Sequence, residues 1–254
     1  MRRVKLESAT PPGAMSAAHL DELIAVERSY WWHLAKRALV LDLAKRHFPP
    51  PRKLVDGGFG GGETLRVFKE AGYEALGLDS LPAAVEHARS LGVAAHVHEL
   101  EQPWPKETEG AGVVLLLDLL EHMDDPVRVL ANVRAVLAPG GGAIVSVPAA
   151  PFLMGPWDRM LGHRRRYSAR LLREHARQAG FKVAYLSHWN SFSLPAAVLV
   201  RLVEKARGAP RSAEFPPVSP LVNGLLVGCA RFERSWLRRA PLPCGLSLVG
   251  VLRP

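Results

Sequence analysis

Cysteine is scarce in this chain of 254 residues. Cys229 and Cys244 are the only two, which is too few for a disulfide framework, and neither lies near histidines in a zinc-binding spacing. We therefore expect a reducing, cytoplasmic compartment and no structural zinc. The basic N-terminal segment Met1–Lys5 is not followed by the apolar stretch of a secretory signal, so no export is predicted.

The chain also lacks long apolar runs, and its acidic residues are not evenly distributed. The longest stretch without a charge, Ala135 to Trp157, contains four prolines, so no membrane span is predicted. The net charge is +9, yet residues 54–150 hold fourteen acidic and six basic side chains. Between Arg159 and Arg173 there are six arginines and no acid. This asymmetry favours two different ligands or an anionic partner, with a solvated basic surface as the alternative.

Short apolar runs alternate with helical patterns from residue 53 to residue 147. This order predicts an α/β fold, a Rossmann-like doubly wound and mostly parallel sheet with a helical N-terminal lead-in and a C-terminal helical cover. We expect a loose segment over 1–15 and a single domain over 16–254. Its core would cover about 50–190, a helical insertion about 191–240 and a last strand about 246–252.

A glycine-rich turn follows the first predicted strand, with the pattern Asp56-x-Gly58-x-Gly60-x-Gly62. Glycines let the backbone approach a ligand closely, and the helix that follows offers unpaired N–H groups. The next strand ends at Asp79, where a carboxylate can accept ribose hydroxyls. Asp56 would repel a pyrophosphate and attract an amino group, so the ligand should carry a cation. A nicotinamide-dependent oxidoreductase is the alternative interpretation.

These residues, together with later motifs, resemble the class I S-adenosylmethionine-dependent methyltransferases, in particular bacterial ones with a type 11/12-like domain. The later motifs are His98-Glu99-Leu100, Leu117 to His122, and Leu137 to Gly141. The resemblance implies S-adenosylmethionine as the cofactor. It also implies methyl transfer to an O or N atom of a small-molecule, lipid-linked or sugar-linked acceptor. Phe59 departs from the usual loop sequence, which leaves the side-chain contacts of the loop open.

The resemblance implies a cofactor site formed by residues at the strand ends and in the lead-in: Trp32, Arg37, Asp56, Gly57, Gly58, Gly60, Asp79, Ser80, Glu99, Leu100 and Asp118. We expect an anionic acceptor to contact Trp157, Arg164 and Arg165, because arginine binds phosphate or carboxylate bidentately. The basic segment after the fifth strand is therefore the predicted acceptor side.

His122, His163 and Tyr167 are the candidate catalytic residues. A neutral imidazole can accept a hydroxyl proton near pH 7, which is the basis for the two histidines. The stretch from Asp118 to His122 also resembles a metal-assisted subset of O-methyltransferases. Since adjacent residues such as Glu121 and His122 need not face one ion, no metal is assigned.

Other functions and partners remain open at this point. A pI of about 10.0 suggests an RNA methyltransferase, although no RNA-binding module is recognisable and no DNA contact is expected. A noncatalytic cofactor-binding protein is favoured only by Phe59. The segment Leu221–Leu237 combines an apolar stripe with arginines at one end. That pattern fits packing on the sheet, a homodimer contact or peripheral contact with an anionic membrane.

Overall fold

The computed structural model describes residues 17–207 and 217–254, with side chains described over 19–200 and 217–254. Helices and strands alternate through the first of these ranges in the predicted order. The predicted loose segment 1–15 lies outside the described residues. The division into a core, an insertion and a last strand stays a prediction.

The helices of the described ranges are α1 (Ala17–Val26), α2 (Trp31–His47), α3 (Glu63–Glu70), α4 (Pro82–Ser90), α5 (Pro126–Val136), α6 (Pro156–Met160), α7 (Ala169–Gln178), α8 (Leu194–Arg207) and α9 (Pro220–Leu237). The strands are β1 (Lys53–Gly57), β2 (Glu74–Asp79), β3 (Ala94–Val97), β4 (Ala111–Leu117), β5 (Leu137–Pro148), β6 (Lys182–Trp189) and β7 (Ser247–Arg253). Within these ranges, no helix is both long and apolar enough to cross a membrane.

The strands form one sheet in the order β3-β2-β1-β4-β5-β7-β6. Strands β1 to β5 are parallel, and β7 runs antiparallel to both of its neighbours. The predicted fold class, a Rossmann-like and mostly parallel α/β sheet, is confirmed. Because parallel strands end at the same edge, Asp56, Asp79 and Asp118 are brought to one side of the sheet, where ligands of such folds bind.

Helices cover both faces of the sheet. Leu54 faces the cluster that contains Phe68 of α3, together with residues of α2 and α4. Its neighbour Val55 faces the opposite cluster, which contains Leu130 of α5 and Leu172 of α7. Strands buried on both faces read as continuous apolar runs, which explains why the sequence predicts them clearly.

Two local details of the fold are not apparent from the sequence pattern. The motif from Leu137 to Gly141 is part of β5, where Ala111 pairs with Leu137 and the register then shifts to Val113 with Gly142. The motif therefore forms a bulge within a longer strand. The segment after β5 contains a 3-10 turn at Pro151–Leu153 and the short helix α6, which are too short to produce a periodic pattern.

Candidate active site

The glycine loop after β1 has a backbone that glycine alone adopts readily. Gly58, Gly60 and Gly62 have φ angles of 73°, 62° and 85°, in the left-handed region that disfavours other residues. A Cβ atom on Gly58 would lie 2.6 Å from Cδ1 of Leu119. The amide of Gly60 donates a 3.1 Å hydrogen bond to Oδ2 of Asp79. The loop is therefore held against the end of β2, and Gly58 is its partly exposed glycine.

Asp56 is a buried carboxyl group with an unused acceptor atom. Its side chain is 1% exposed, and Oδ1 has no hydrogen-bond partner within the described residues. Burial raises the pKa of Asp56 to about 8, the charge of Asp79 raises it further, and Lys36 opposes both. A cationic group placed beside this carboxyl would supply the missing partner and favour its ionised form.

Phe59 turns inward, away from the ligand side of the loop. It is 8% exposed and belongs to the core cluster on the α2 and α3 face. A Cβ atom on Gly77 would lie 2.5 Å from Cδ1 of Phe59, so the ring fits against β2 because residue 77 has no side chain. The departure from the usual loop sequence is thus a packing feature.

The ends of β2 and β3 present the other residues predicted to bind the nucleoside. Oδ1 of Asp79 accepts a 3.0 Å hydrogen bond from the amide of Leu81, and burial raises the pKa of this carboxyl. Ser80 follows it directly and is partly exposed, as is Leu81. Glu99 is exposed, whereas Leu100 is buried and its carbonyl accepts a hydrogen bond from Nε1 of Trp104. These positions remain predicted contacts.

The helical lead-in covers the carboxyl ends of the strands. Nζ of Lys36 lies 2.7 Å from Oδ2 of Asp118 and 4.1 Å from the centroid of the Trp32 ring. Asp118 also accepts a 3.1 Å hydrogen bond from Oγ of Ser146 and has a φ of 54°. Lys36 was not among the residues predicted from sequence. The sequence signal that could have identified Lys36 is its position one helical turn after Trp32, and this signal is weak.

A second acid of the lead-in lies against the glycine loop. A side chain on Gly61 would collide with the carboxyl group of Glu27, which is 6% exposed. Burial and then the charge of Glu63 raise the pKa of Glu27 to about 7. Arg37, predicted as a cofactor ligand, is 8% exposed and donates a 3.0 Å hydrogen bond to the carbonyl of Glu27. Arg37 therefore stabilises the segment around Glu27, which lies against the glycine loop.

Beyond β4, three side chains form a compact cluster. One ligating atom from each of Glu121, His122 and His163 lies within 4.8 Å of the other two. Glu121 is fully buried, and neither of its carboxylate oxygens receives a hydrogen bond from another of the described residues. Burial, and then the charge of Asp118, raise its pKa well above the ordinary value. Although adjacent residues need not face one ion, Glu121 and His122 thus have ligating atoms close to each other and to His163.

The orientation of His163 is fixed by Asp158. Its Nδ1 atom lies 3.2 Å from Oδ1 of Asp158, and the guanidinium of Arg166 lies 2.7 Å from the same oxygen. Burial alone would raise the pKa of Asp158, but hydrogen bonds from His163 and Arg166 lower it to about 2. An imidazole held by a carboxylate through one nitrogen presents the other nitrogen to its surroundings, as in the outer shell of metal-binding histidines.

His122 contacts His163 edge to face, with ring centroids 4.8 Å apart. Burial, and then the charge of His163, lower the pKa of His122 to about 4. Its imidazole is consequently neutral at physiological pH, as a proton acceptor or metal ligand must be. An ordinary histidine titration near pH 6.5 is therefore not the expected signature of this residue.

Tyr167, the third candidate catalytic residue, is enclosed by the protein. It is fully buried in the core, and its hydroxyl lies 3.3 Å from the carbonyl of Leu120 and 3.4 Å from Nδ1 of His175. Burial raises the pKa of Tyr167, and the charge of Glu121 also raises it. An enclosed phenol that keeps its proton is typical of a core residue, and the catalytic role of Tyr167 stays a prediction.

The arginines predicted to bind the acceptor have partners within the protein. Nη1 of Arg164 lies 2.5 Å from Oδ1 of Asp124, and its Nε atom donates a 2.9 Å hydrogen bond to the carbonyl of His122. Nη2 of Arg165 lies 3.5 Å from the carbonyl of Asp124. Trp157 is partly exposed on α6. The arginines thus attach the basic segment to the loop after β4, and their binding of an anion stays a prediction.

The strand order, the glycine loop and the acids at the ends of β1 and β2 define a nucleoside-binding enzyme of the doubly wound class. A family model described as "Methyltransferase domain" matches residues 30–186, more than half of the chain. The chain therefore belongs to this methyltransferase family. The predicted class, a methyltransferase that depends on S-adenosylmethionine, is confirmed.

Curated relatives match shorter segments. The ubiquinone biosynthesis O-methyltransferase of Methylococcus capsulatus is 33% identical over 101 residues, which are 37% of this chain and 43% of that protein. The corresponding protein of Xanthomonas campestris is 26% identical over 153 residues, or 54% of this chain and 64% of that protein. In each case the match spans less than two thirds of the relative's length.

Solved structures share the fold over most of the chain. A Haloferax volcanii methyltransferase, in complex with the Trm112 methyltransferase activator, has a TM-score of 0.60 and 20% identity, covering 92% of this chain and 96% of that one. An S-adenosylmethionine-dependent methyltransferase from Mesorhizobium loti has a TM-score of 0.56 and 17% identity, covering 90% and 100%. At such identities the likeness concerns the fold alone.

Proposed function

We propose that this protein transfers the methyl group of S-adenosylmethionine to an oxygen atom of a small or lipid-linked hydroxyl-bearing acceptor. The observation that supports this most directly is the cluster of Glu121, His122 and His163 beyond the end of β4. A hydroxyl acceptor must lose a proton when it is methylated, and a carboxylate beside two imidazoles can take up that proton or hold a cation that promotes its loss.

On the cofactor side, different residues bind different chemical groups of S-adenosylmethionine. Asp56 receives the amino group, because its buried Oδ1 atom lacks a partner. The backbone of Gly58 and Gly60 borders the cofactor, and Asp79 accepts the ribose hydroxyls. The cofactor supplies a methyl group on a sulfonium, which is attacked in line by the acceptor. The protein contributes mainly by holding the two reactants close and aligned.

The same cluster fits a divalent cation. One carboxylate and two imidazoles form a mixed oxygen and nitrogen set, which suits Mn²⁺, Zn²⁺ and related ions. Two observations favour this role: the oxygens of Glu121 accept no hydrogen bond from other described residues, and Asp158 holds one nitrogen of His163. The cation would polarise the acceptor oxygen, which lowers the pKa of the hydroxyl.

The relatives support oxygen as the methylated atom. Both ubiquinone biosynthesis proteins are named O-methyltransferases, and a hydroxyl acceptor is the one that needs the proton chemistry of the cluster. An anionic group on the acceptor would lie near Arg164, Arg165 and Trp157. Arg164 would then exchange its ion pair with Asp124 for a contact with the acceptor, since that pair is partly exposed and of modest strength.

The experiment combines product analysis with metal binding. Labelled S-adenosylmethionine is incubated with matched phenol and aniline acceptors, with and without a chelator, and mass spectrometry identifies the methylated atom. Calorimetry on chelator-treated protein measures the affinity for Mn²⁺ and Zn²⁺. Glu121→Gln and His163→Ala should each weaken metal binding by about tenfold or more, the scale of a lost ligand or outer-shell contact.

The control variant is His87→Ala, which removes a histidine of α4 on the opposite face of the sheet. It should bind the metal ions with wild-type affinity. Transfer to the aniline but not to the phenol would overturn oxygen as the methylated atom. Metal affinity unchanged in both Glu121→Gln and His163→Ala would overturn the cation site, and the histidines would then act by proton transfer alone.

A further inference from the structure

Helix α9 turns an apolar face toward solvent. Leu221, Leu225, Phe232 and Trp236 are 75%, 63%, 74% and 48% exposed. Their spacing of four, seven and four residues places them on one side of the helix. An ordinary surface helix hides such residues and exposes its polar ones. We call these four residues the apolar ridge.

Two other residues of α9 attach the helix to the protein through polar contacts. The side chain of Asn223 accepts a 2.8 Å hydrogen bond from the amide of Trp31 and donates one of 3.0 Å to the carbonyl of Ser29. The carboxylate of Glu233 accepts hydrogen bonds from the amides of Asn190 and Ser191, at 3.1 and 2.9 Å. The outward direction of the ridge is therefore fixed by specific inward contacts.

The ridge borders an open groove of about 840 Å³. Its lining includes the ridge residues, Phe192, Cys229 and the carboxyl-bearing Glu233. Gly224 and Gly228 lie on the same stretch of helix, and a Cβ atom on either would meet nothing within 4 Å. The groove is shallow and apolar, and it does not coincide with the glycine loop or with the cluster beyond β4.

Exposed charge near the ridge is mainly basic. Residues 215–230 contain no charged side chain, and Glu233 is the only acid between 217 and 239. Glu233 is 8% exposed and occupied by backbone amides. Arg231, Arg238 and Arg239 are exposed at or just after the C-terminal end of the helix. Arg238 is paired with Asp42 of α2, so Arg231 and Arg239 are the cations offered to a partner. An apolar face that ends in cations, with Trp236 between the two zones, matches the chemistry of an anionic bilayer surface.

We propose that the apolar ridge of α9 docks on an anionic phospholipid bilayer. The ridge enters the boundary between headgroups and acyl chains, and Arg231 and Arg239 contact lipid phosphates. Trp31 connects this surface to the candidate active site, because it contacts Phe192 with ring centroids 5.8 Å apart and begins α2, whose Lys36 pairs with Asp118. Docking goes beyond the proposed reaction and is tested without any methyl transfer.

The test is flotation of the full chain with vesicles of phosphatidylcholine alone or mixed with phosphatidylglycerol. Wild-type protein should float with the anionic vesicles and bind the neutral ones about tenfold or more weakly. Binding should fall as salt is raised from 0.05 to 0.5 M, a range chosen because screening of surface charge increases steeply across it. Phe232→Glu should weaken binding by about tenfold or more, since it removes one large apolar contact and adds a like charge to the lipid.

Phe152→Glu is the matched control, because Phe152 is 77% exposed on the 3-10 turn after β5 and Phe232 is 74% exposed on the ridge. Thermal melting should show both variants folded, since neither phenylalanine is buried. The proposal is overturned by wild-type protein that does not float with anionic vesicles, or by equal losses in the two variants. It is also overturned if light scattering finds a dimer that Phe232→Glu dissociates and that does not bind vesicles, because the ridge would then be the contact between two copies.

Discussion

Asp56 should make the affinity for the amino-acid part of the cofactor depend on pH. Its pKa is raised to about 8, so about one tenth of the protein has an ionised Asp56 at pH 7 and about one hundredth at pH 6. Between pH 6 and pH 7, a ligand whose ammonium group pairs with the ionised Asp56 must therefore displace the proton from this carboxyl group. Its affinity should therefore rise about tenfold from pH 6 to pH 7, equivalent to about 1.4 kcal/mol.

Calorimetry with two related ligands separates this effect from others. S-adenosylhomocysteine has the amino group, whereas 5′-methylthioadenosine keeps the adenine and ribose and lacks the amino acid. Both ligands meet Asp79 through the ribose, so any titration of Asp79 affects them equally. We expect the tenfold change for S-adenosylhomocysteine alone, and we expect Asp56→Asn to abolish it. Equal slopes for the two ligands, or an unchanged slope in Asp56→Asn, would refute the reasoning.

The same pKa has an opposite effect on the ligand-free fold. A folded-state pKa above the unfolded value means that Asp56 stabilises the fold at low pH and that this contribution is lost as pH rises toward 8. With a pKa of about 8 in the folded state, the loss between pH 6 and pH 8 amounts to about 2 kcal/mol. Urea unfolding at the two pH values should show a smaller decrease for Asp56→Asn than for wild type.

Three further predictions concern the loop and the lead-in. Asp79→Ala should weaken nucleoside binding by about 1.5–3 kcal/mol in calorimetry, on the scale of hydrogen bonds to a charged group, and wild-type affinity would contradict the ribose assignment. Gly58→Ala should lower stability by about 1–3 kcal/mol, because its φ is 73° and the new methyl group meets Leu119; an unchanged melting temperature would contradict the strain. Lys36→Met should lower the affinity for S-adenosylhomocysteine severalfold, because it removes the cation that pairs with Asp118. Unchanged binding would limit Lys36 to a structural role.

The fold and the first part of the site could be predicted from sequence for a clear physical reason. Strands buried on both faces appear as apolar runs, and glycines and prolines separate them from amphipathic helices. In a parallel sheet, the residues that end the strands share one edge. Asp56 and Asp79 could therefore be assigned to the ligand side without knowledge of any contact.

The remaining features depend on contacts between distant parts of the chain. Lys36 and Asp118 are 82 positions apart, and no local pattern states which helix covers which strand end. The same holds for Asp158, whose burial beside His163 is visible only in three dimensions. Tyr167 follows an exposed-looking arginine run, yet the backbone directs its ring into the core, which composition cannot reveal.

The pairing of β5 with β7 has a consequence for how such an enzyme can diversify. Pro148 pairs with Ser247, so the chain between them, which also contributes the edge strand β6, begins and ends within about one strand spacing, near 5 Å. The entropic cost of closing such a path grows only slowly with its length. Insertions and deletions in the parts of this path outside β6 can therefore change the proposed acceptor side while the nucleoside-binding frame before it is preserved. On the proposed function, His163 adds one constraint, because each new version of the path must still bring a histidine back to Glu121 and His122.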